Sequence, residues 1–105
     1  MKVGIDLVQI SEFQERLREA GGLDKVFLDF EREHSRSPES LAGAFAAKEA
    51  FFKAIGRKGD WLDVWIEKDK WGKPALATKE VGFGKEIQVS ISHSGDYAVA
   101  VVVIE

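Results

Sequence analysis

The chain has 105 residues, no cysteine and a formal net charge of −3, with 45% hydrophobic and 31% charged residues. That size makes one domain with a modest core, the missing cysteines exclude disulfides and thiolate metal sites, and the acidic balance argues against nonspecific nucleic-acid binding. No apolar run is long enough for a membrane span, and Asp6 stands where a signal peptide would be apolar, so the expected compartment is the cytoplasm.

Residues 2–9 read as a strand, with Val3, Ile5 and Leu7 alternating with small or polar residues and Asp6 among them. Ser11 is placed to cap a first helix that buries Phe13 and Leu17 and ends at Gly21-Gly22. Residues 24–33 read as a second short helix carrying Val26, Phe27 and Phe30. Ser37-Pro38-Glu39 then opens a long helix over about 38–55. It offers a capping serine, a proline at the first helical position and an acid in the first turn, and Gly56 is its left-handed terminator.

Beyond Gly59 the pattern turns to strands. Trp61 to Glu67 alternates, residues 69–74 form a turn, residues 75–78 a short strand, and Val81-Gly82-Phe83-Gly84 a glycine-rich loop. Residues 86–92 and 97–104 read as a closing hairpin around Ser94-Gly95-Asp96. The last strand is apolar on both faces, so a helix or a partner chain must cover it. The expected fold class is α+β: a single small domain, residues 1–105, with an antiparallel sheet packed against one long helix and shorter helices.

The candidate chemistry lies in the long helix, where Lys48, Glu49 and Lys53 fall in a run that otherwise reads as buried. A buried charge without a partner is costly; a metal with a phosphate ligand is one way to compensate all three. Lys48 falls in the stripe of Leu41, Phe45, Phe52 and Ile55, where it either snorkels to solvent or meets a bound phosphate. Asp6 and Glu49, on separate elements, form a pair that binds magnesium when a substrate phosphate and waters complete the octahedron. The plainer readings are a local salt bridge for Asp6 and an (i, i+4) pair between Glu49 and Lys53. Lys53 is also placed to stabilise developing negative charge or donate a proton.

Ser90-Ile91-Ser92-His93-Ser94 ends a strand in polar side chains, suited either to an anion contact or to an ordinary turn. No G-x-S-x-G elbow is present, so no hydrolase triad is read, and His34 receives no role. Trp61 and Trp65 read as packing residues. Trp71, beside Gly72-Lys73-Pro74, is the tryptophan placed to meet an adenine ring.

Taken in order, Gly4-Ile5-Asp6-Leu7-Val8, Leu41-Ala42-Gly43 with Phe45-Ala46-Ala47-Lys48-Glu49-Ala50, Lys53-Ala54-Ile55-Gly56, Gly72-Lys73-Pro74 and Ser90-Ile91-Ser92-His93-Ser94 resemble the motifs of the phosphopantetheinyl transferases. The resemblance is to the small single-domain type, the holo-[acyl-carrier-protein] synthases, and extends from residue 3 to the C-terminus. It implies transfer of the 4'-phosphopantetheine arm of coenzyme A to a serine of apo acyl carrier protein, with release of adenosine 3',5'-bisphosphate. Asp6 and Glu49 would hold magnesium against the pyrophosphate. Lys48 and Lys53 would lie along the phosphates, Lys53 assisting the leaving group. Ser92 and His93 would approach the 3'-phosphate, and Gly72, Lys73 and Pro74 would border the adenine pocket. Glu49 or a metal-bound water is the implied general base. The resemblance also implies a homotrimer with its site at a subunit interface, and a role in making acyl carriers for fatty-acid biosynthesis.

The chain departs from the family pattern in places. Ala44 stands where the family has an arginine that helps hold a phosphate, so nucleotide binding would be weakened unless Arg57, Lys58 or Lys73 substitutes. The segments after Gly56 and around residues 78–85 are short. The first helix interleaves Arg16 and Arg18 with Glu12, Glu15 and Glu19, which thins the basic face toward an acidic carrier; Lys2, Lys25 or Arg32 would add to it. The alternatives are a coenzyme A-binding relative that no longer transfers, a magnesium-dependent nucleotide hydrolase, and a structural trimer.

Overall fold

A computed structural model describes residues 1–19, 22–35, 37–80 and 86–105. The expected stop at Gly21 and the glycine-rich loop at residues 81–84 lie outside them. Strand β1 (Lys2–Gln9) runs without a loop into helix α1 (Ile10–Glu19). Phe13 is buried and Leu17 half-buried, as the apolar spacing predicts. Ser11 is not the cap, however. It lies inside the helix, and its backbone N–H and hydroxyl donate to the Asp96 carboxylate at 3.0 and 2.6 Å. The Ile10 N–H donates to the Asp96 carbonyl at 2.7 Å. Asp96 does the capping because the last strand pairs alongside β1 and brings its turn to the start of α1.

The expected single helix over 24–33 is divided. A 3-10 turn covers Leu23–Lys25 and helix α2 covers Asp29–His34. Leu28, at the N-cap of α2, has no side-chain oxygen to offer; Glu31 instead accepts from the Leu28 N–H at 3.0 Å. Phe27 is buried while Phe30 is exposed.

Helix α3 (Pro38–Ile55) has the expected ends. Ser37 Oγ accepts from the Ser40 N–H at 3.1 Å, and Gly56 takes φ 76°, a left-handed conformation that glycine adopts at no steric cost. A 3-10 turn at Trp61–Asp63, capped by Asp60, delays strand β2 to Val64–Lys68, and β3 is Pro74–Thr78. These two form their own two-stranded antiparallel sheet. Strands β4 (Ile87–Ser94) and β5 (Tyr97–Ile104) form the predicted closing hairpin. The main sheet is antiparallel in the order β1-β5-β4.

The core lies between that sheet and α3. Ala46, Ala47 and Ala50 are fully buried on the helix, facing Ala98, Ala100, Val102 and Ile104 on β5. These small side chains let the layers approach closely. A Cβ at Gly4 would collide with the carbonyl oxygen of Ala50, so only glycine permits this spacing of β1 on α3. The other sheet face is bare. Val3, Ile5 and Leu7 are 60% exposed or more, and they pair across to Val103, Val101 and Val99, which are half-buried. No helix among the described residues is long and apolar enough to cross a membrane.

Candidate active site

Close packing of β1 on α3 brings Asp6 next to the last turns of the helix. Asp6 lies on the same strand face as Gly4 and Val8, and its side chain is 15% exposed. Lys53 Nζ donates to Asp6 Oδ1 at 2.9 Å and to the Ile5 carbonyl at 3.1 Å. Glu49 lies one turn earlier on α3. Burial raises its carboxyl above the usual glutamate range, and the Asp6 charge pushes it further the same way against the pull of Lys53, Lys58 and Arg16. Both acids line one cleft of about 400 Å³, walled by Phe13, Phe45 and Trp61 with Arg16 on its lining.

An acid whose proton affinity is raised by burial and by a second carboxylate nearby marks a site that favours added positive charge. Among the described residues no group of three or more His, Cys, Asp or Glu is arranged to hold a metal ion. A pair of carboxylates nevertheless suits magnesium, which takes one or two protein carboxylates and leaves its other positions to phosphate oxygens and water.

Lys48 does something else, and its expected place along a phosphate is corrected. It is fully buried and does not snorkel. Its ammonium donates to Glu31 Oε1 at 2.8 Å, to the Val26 carbonyl at 2.6 Å and to the Trp61 carbonyl at 3.1 Å. Those acceptors use its three protons, and the ring of Phe27 lies 4.9 Å away. Burial lowers its proton affinity, against the opposing pull of Glu31. The sequence reading missed Glu31, whose second oxygen accepts from the Ile66 N–H at 3.0 Å. One buried pair therefore ties α2, α3 and β2 together. The signal in the sequence was slight: an acid three residues into a short helix that lacks a capping side chain.

The residues expected around the nucleotide gather elsewhere. Gly72, Pro74 and His93 line a hollow of about 140 Å³ together with Ser40, Ala44 and Lys68. His93 Nε2 lies 2.8 Å from the Glu39 carbonyl. A carbonyl only accepts, so this nitrogen carries a proton. Gly43 makes room for the ring, since a Cβ there would fall 2.9 Å from Nε2. Lys73 and Ser92 do not line the hollow. Lys73 is exposed, its N–H bound to Asp69 Oδ1 at 2.9 Å. Ser92 follows strand alternation onto the face opposite His93, so one chain does not bring both to one anion. Trp71 is 82% exposed, whereas Trp61 packs between Phe45 and Phe52 at 5.1 and 5.3 Å.

The hollow and the acidic cleft lie on opposite sides of α3. Ser40 and Ala44 are about half a turn around the helix from Phe45 and Glu49 at 100° per residue. A single chain thus carries two partial sites.

The sequence profile of the 4'-phosphopantetheinyl transferase superfamily matches residues 2–102. A holo-[acyl-carrier-protein] synthase of Nautilia profundicola is 39% identical over 110 residues, 97% of each chain. The chain belongs to the 4'-phosphopantetheinyl transferase superfamily, among the small holo-[acyl-carrier-protein] synthases.

Solved members of this group agree in fold. The Helicobacter pylori holo-[acyl-carrier-protein] synthase, crystallised with coenzyme A, superposes with a TM-score of 0.89 at 27% identity, covering 98% of this chain and 99% of that one. The Bacillus anthracis enzyme, in complex with coenzyme A (3',5'-ADP), gives 0.85 at 34% identity, covering 98% and 94%. The chain is an enzyme of this superfamily; of its motif residues, Asp6 and Glu49 line one cleft and Lys53 is bonded to Asp6.

Proposed function

We propose that this phosphopantetheinyl transferase moves the 4'-phosphopantetheine arm of coenzyme A to a serine of apo acyl carrier protein, dependent on magnesium, in the cytoplasm, releasing adenosine 3',5'-bisphosphate. The observation that carries the reading is that Asp6 and Glu49 line one cleft, with Lys53 bonded to Asp6, in a chain whose full-length relatives are holo-[acyl-carrier-protein] synthases.

In the reaction, the serine oxygen forms a bond to the phosphorus that bears the pantetheine arm. The bond from that phosphorus to the bridging oxygen breaks, and the electron pair leaves on the adenosine 5'-phosphate. Such a transfer needs positioning and neutralisation of charge more than covalent help. Asp6 and Glu49 would hold magnesium, which when bound neutralises pyrophosphate charge and fixes its oxygens. Glu49, by its position beside the phosphates, or a metal-bound water would take the serine proton. The Lys53 ammonium, free to swing since its side chain is 55% exposed, meets the charge that develops on the leaving oxygen. Phe13, Phe45 and Trp61 keep water from the apolar wall of the cleft.

A homotrimer with the site between subunits is part of the proposal. Two observations support it: the partial sites on opposite sides of α3, and the exposed aliphatic row of β1 beside the half-buried row of β5, a face of the kind that marks association. Light scattering that returns a monomer at micromolar concentration removes the trimer. The transfer itself is tested by mixing the protein with coenzyme A, magnesium and apo carrier, and weighing the carrier by mass spectrometry. A phosphopantetheine-sized gain is expected; coenzyme A binding with an unchanged carrier mass overturns the reading.

A further inference from the structure

The transfer chemistry leaves one pair of buried ionisable groups unused, Lys48 and Glu31, with side chains 0% and 2% exposed. Burying two charges is costly, and apolar residues of similar volume often hold a fold as well. Stability alone is therefore a weak reason for the pair, and the acceptors of the ammonium supply a stronger one.

Two of its three acceptors are the carbonyls of Val26 and Trp61, at 2.6 and 3.1 Å. Both residues also line the cleft that holds Asp6 and Glu49. Neither lies in an α-helix or a strand: Val26 follows the first 3-10 turn and Trp61 opens the second. Such turns lie outside any strand ladder or α-helical row of hydrogen bonds, and these two precede and follow α3 in the chain. One ammonium on α3 ties both to the helix. Glu31 in turn holds the ammonium, and its carboxylate is itself fixed from two sides, by the N–H groups of Leu28 and Ile66 at 3.0 Å each.

The wall anchored this way is aromatic. Phe13, Phe45 and Trp61 follow one another with ring centroids 5.0 and 5.1 Å apart, and Trp61 meets Phe52 at 5.3 Å. Glu49 is the next residue after Lys48, and consecutive residues on a helix point about 100° apart. One side chain reaches back into the fold to anchor the wall while its neighbour lines the cleft.

We propose that Lys48, held by Glu31, is a positioning residue for the transfer: it pins the Val26 and Trp61 turns to α3 and so sets the distance between the aromatic wall of the cleft and the acids opposite. The inference rests on the transferase reading, and it is tested by turnover and by the wall itself. Lys48→Met lowers kcat on the order of 100-fold, the cost of a small misalignment of reacting groups, and leaves the KM for coenzyme A within about twofold. Trimethylamine N-oxide, which strengthens burial, is added until the urea midpoint matches wild type. The loss of kcat persists if Lys48 aligns the site; turnover that returns with stability overturns the proposal.

For the wall, Trp65→Phe and Trp71→Phe leave Trp61 as the only indole of the three in the chain. In that background Lys48→Met shifts Trp61 emission to the red and opens it to acrylamide quenching, at a urea midpoint matched in the same way. Trp61 as shielded in the variant as in its parent overturns the proposal. Where Lys48→Met does not fold, Lys48→Gln with Glu31→Gln takes its place in both measurements. That pair leaves no buried charge unpaired, and the glutamine amide is too short to span both carbonyls. A wild-type protein that transfers nothing removes the transferase reading, and Trp61 shielding still decides whether Lys48 anchors the wall.

Discussion

Lys48 and Lys53 lie on the same helix, and each ammonium sits within 2.9 Å of one carboxylate, Glu31 and Asp6 respectively. The Lys48 pair is sealed, with side chains 0% and 2% exposed. The Lys53 pair is open, at 55% and 15%. Burial and saturation of its donors make Lys48 a fixed strut between α2, α3 and β2. Exposure leaves Lys53 able to exchange Asp6 for a ligand. The same residue type in the same helix is locked into the fold in one place and left open in the other, and what separates them is access to water rather than distance to the partner.

The sharpest way to break this contrast is Lys48→Met. It strands Glu31 as a buried charge and should cost about 3–5 kcal/mol, read as a lower midpoint in urea. Adding Glu31→Gln should recover only part of that loss, because Leu28 and Ile66 both donate to Glu31 and an amide has one acceptor oxygen. A Lys48→Met protein as stable as wild type would mean that the pair is not a strut.

Lys53→Met is the complementary test. It should keep the wild-type urea midpoint within about 0.5 kcal/mol, as exposed pairs contribute little, while lowering kcat on the order of 100-fold. A large loss of stability with normal turnover would reverse the assignment of the two lysines.

Glu49→Gln sharpens the functional side. The Glu49 carboxyl titrates above its unfolded value, so the folded state holds its proton longer as pH rises. Its favourable contribution is complete below about pH 4.5 and is lost as pH rises through the raised folded value. The glutamine variant should therefore melt at a higher temperature than wild type at pH 7 in the absence of ligand, with the gap closing in acid, and should lose magnesium-dependent transfer. A gap that does not change with pH would place its origin elsewhere.

The smallest effect concerns Asp96, an exposed carboxylate held by Ser11. The Ser11 hydrogen bond lowers its proton affinity below the usual aspartate range. Its contribution is present above about pH 3.8 and is lost as pH falls through the lowered folded value. Asp96→Asn should show a slightly lower melting temperature than wild type at pH 7 and converge with it in strong acid, with α1 amides exchanging faster at neutral pH. Identical melting curves throughout would show that the cap contributes nothing.

Much of the candidate site was legible because its signals are local or strongly patterned. Asp6 in an alternating strand, and Glu49 and Lys53 one turn apart on a capped helix, needed no tertiary information to be singled out. Lys48 was misplaced because its stripe looked the same whether the lysine reached a phosphate, reached water or found an acid, and that acid sits 17 residues away in a helix whose start the sequence blurred. Ser11 was read as a cap for a similar reason: the oxygen that does the capping arrives from 85 residues downstream. Lys68 went unnoticed because nothing near it in sequence points at Ala44.

By itself the sequence determined the long helix with both its ends, the first strand, the closing hairpin and the chemical types available for binding phosphate and metal. Those follow from backbone conformation and periodicity, which neighbouring residues dictate. Tertiary structure alone decided which charges were sealed and which stayed open, and it set the acids and the residues expected to border a nucleotide on opposite sides of α3. Burial and pairing across long separations depend on how closely whole layers approach, here on the fit of Gly4 against Ala50, and no local pattern encodes that.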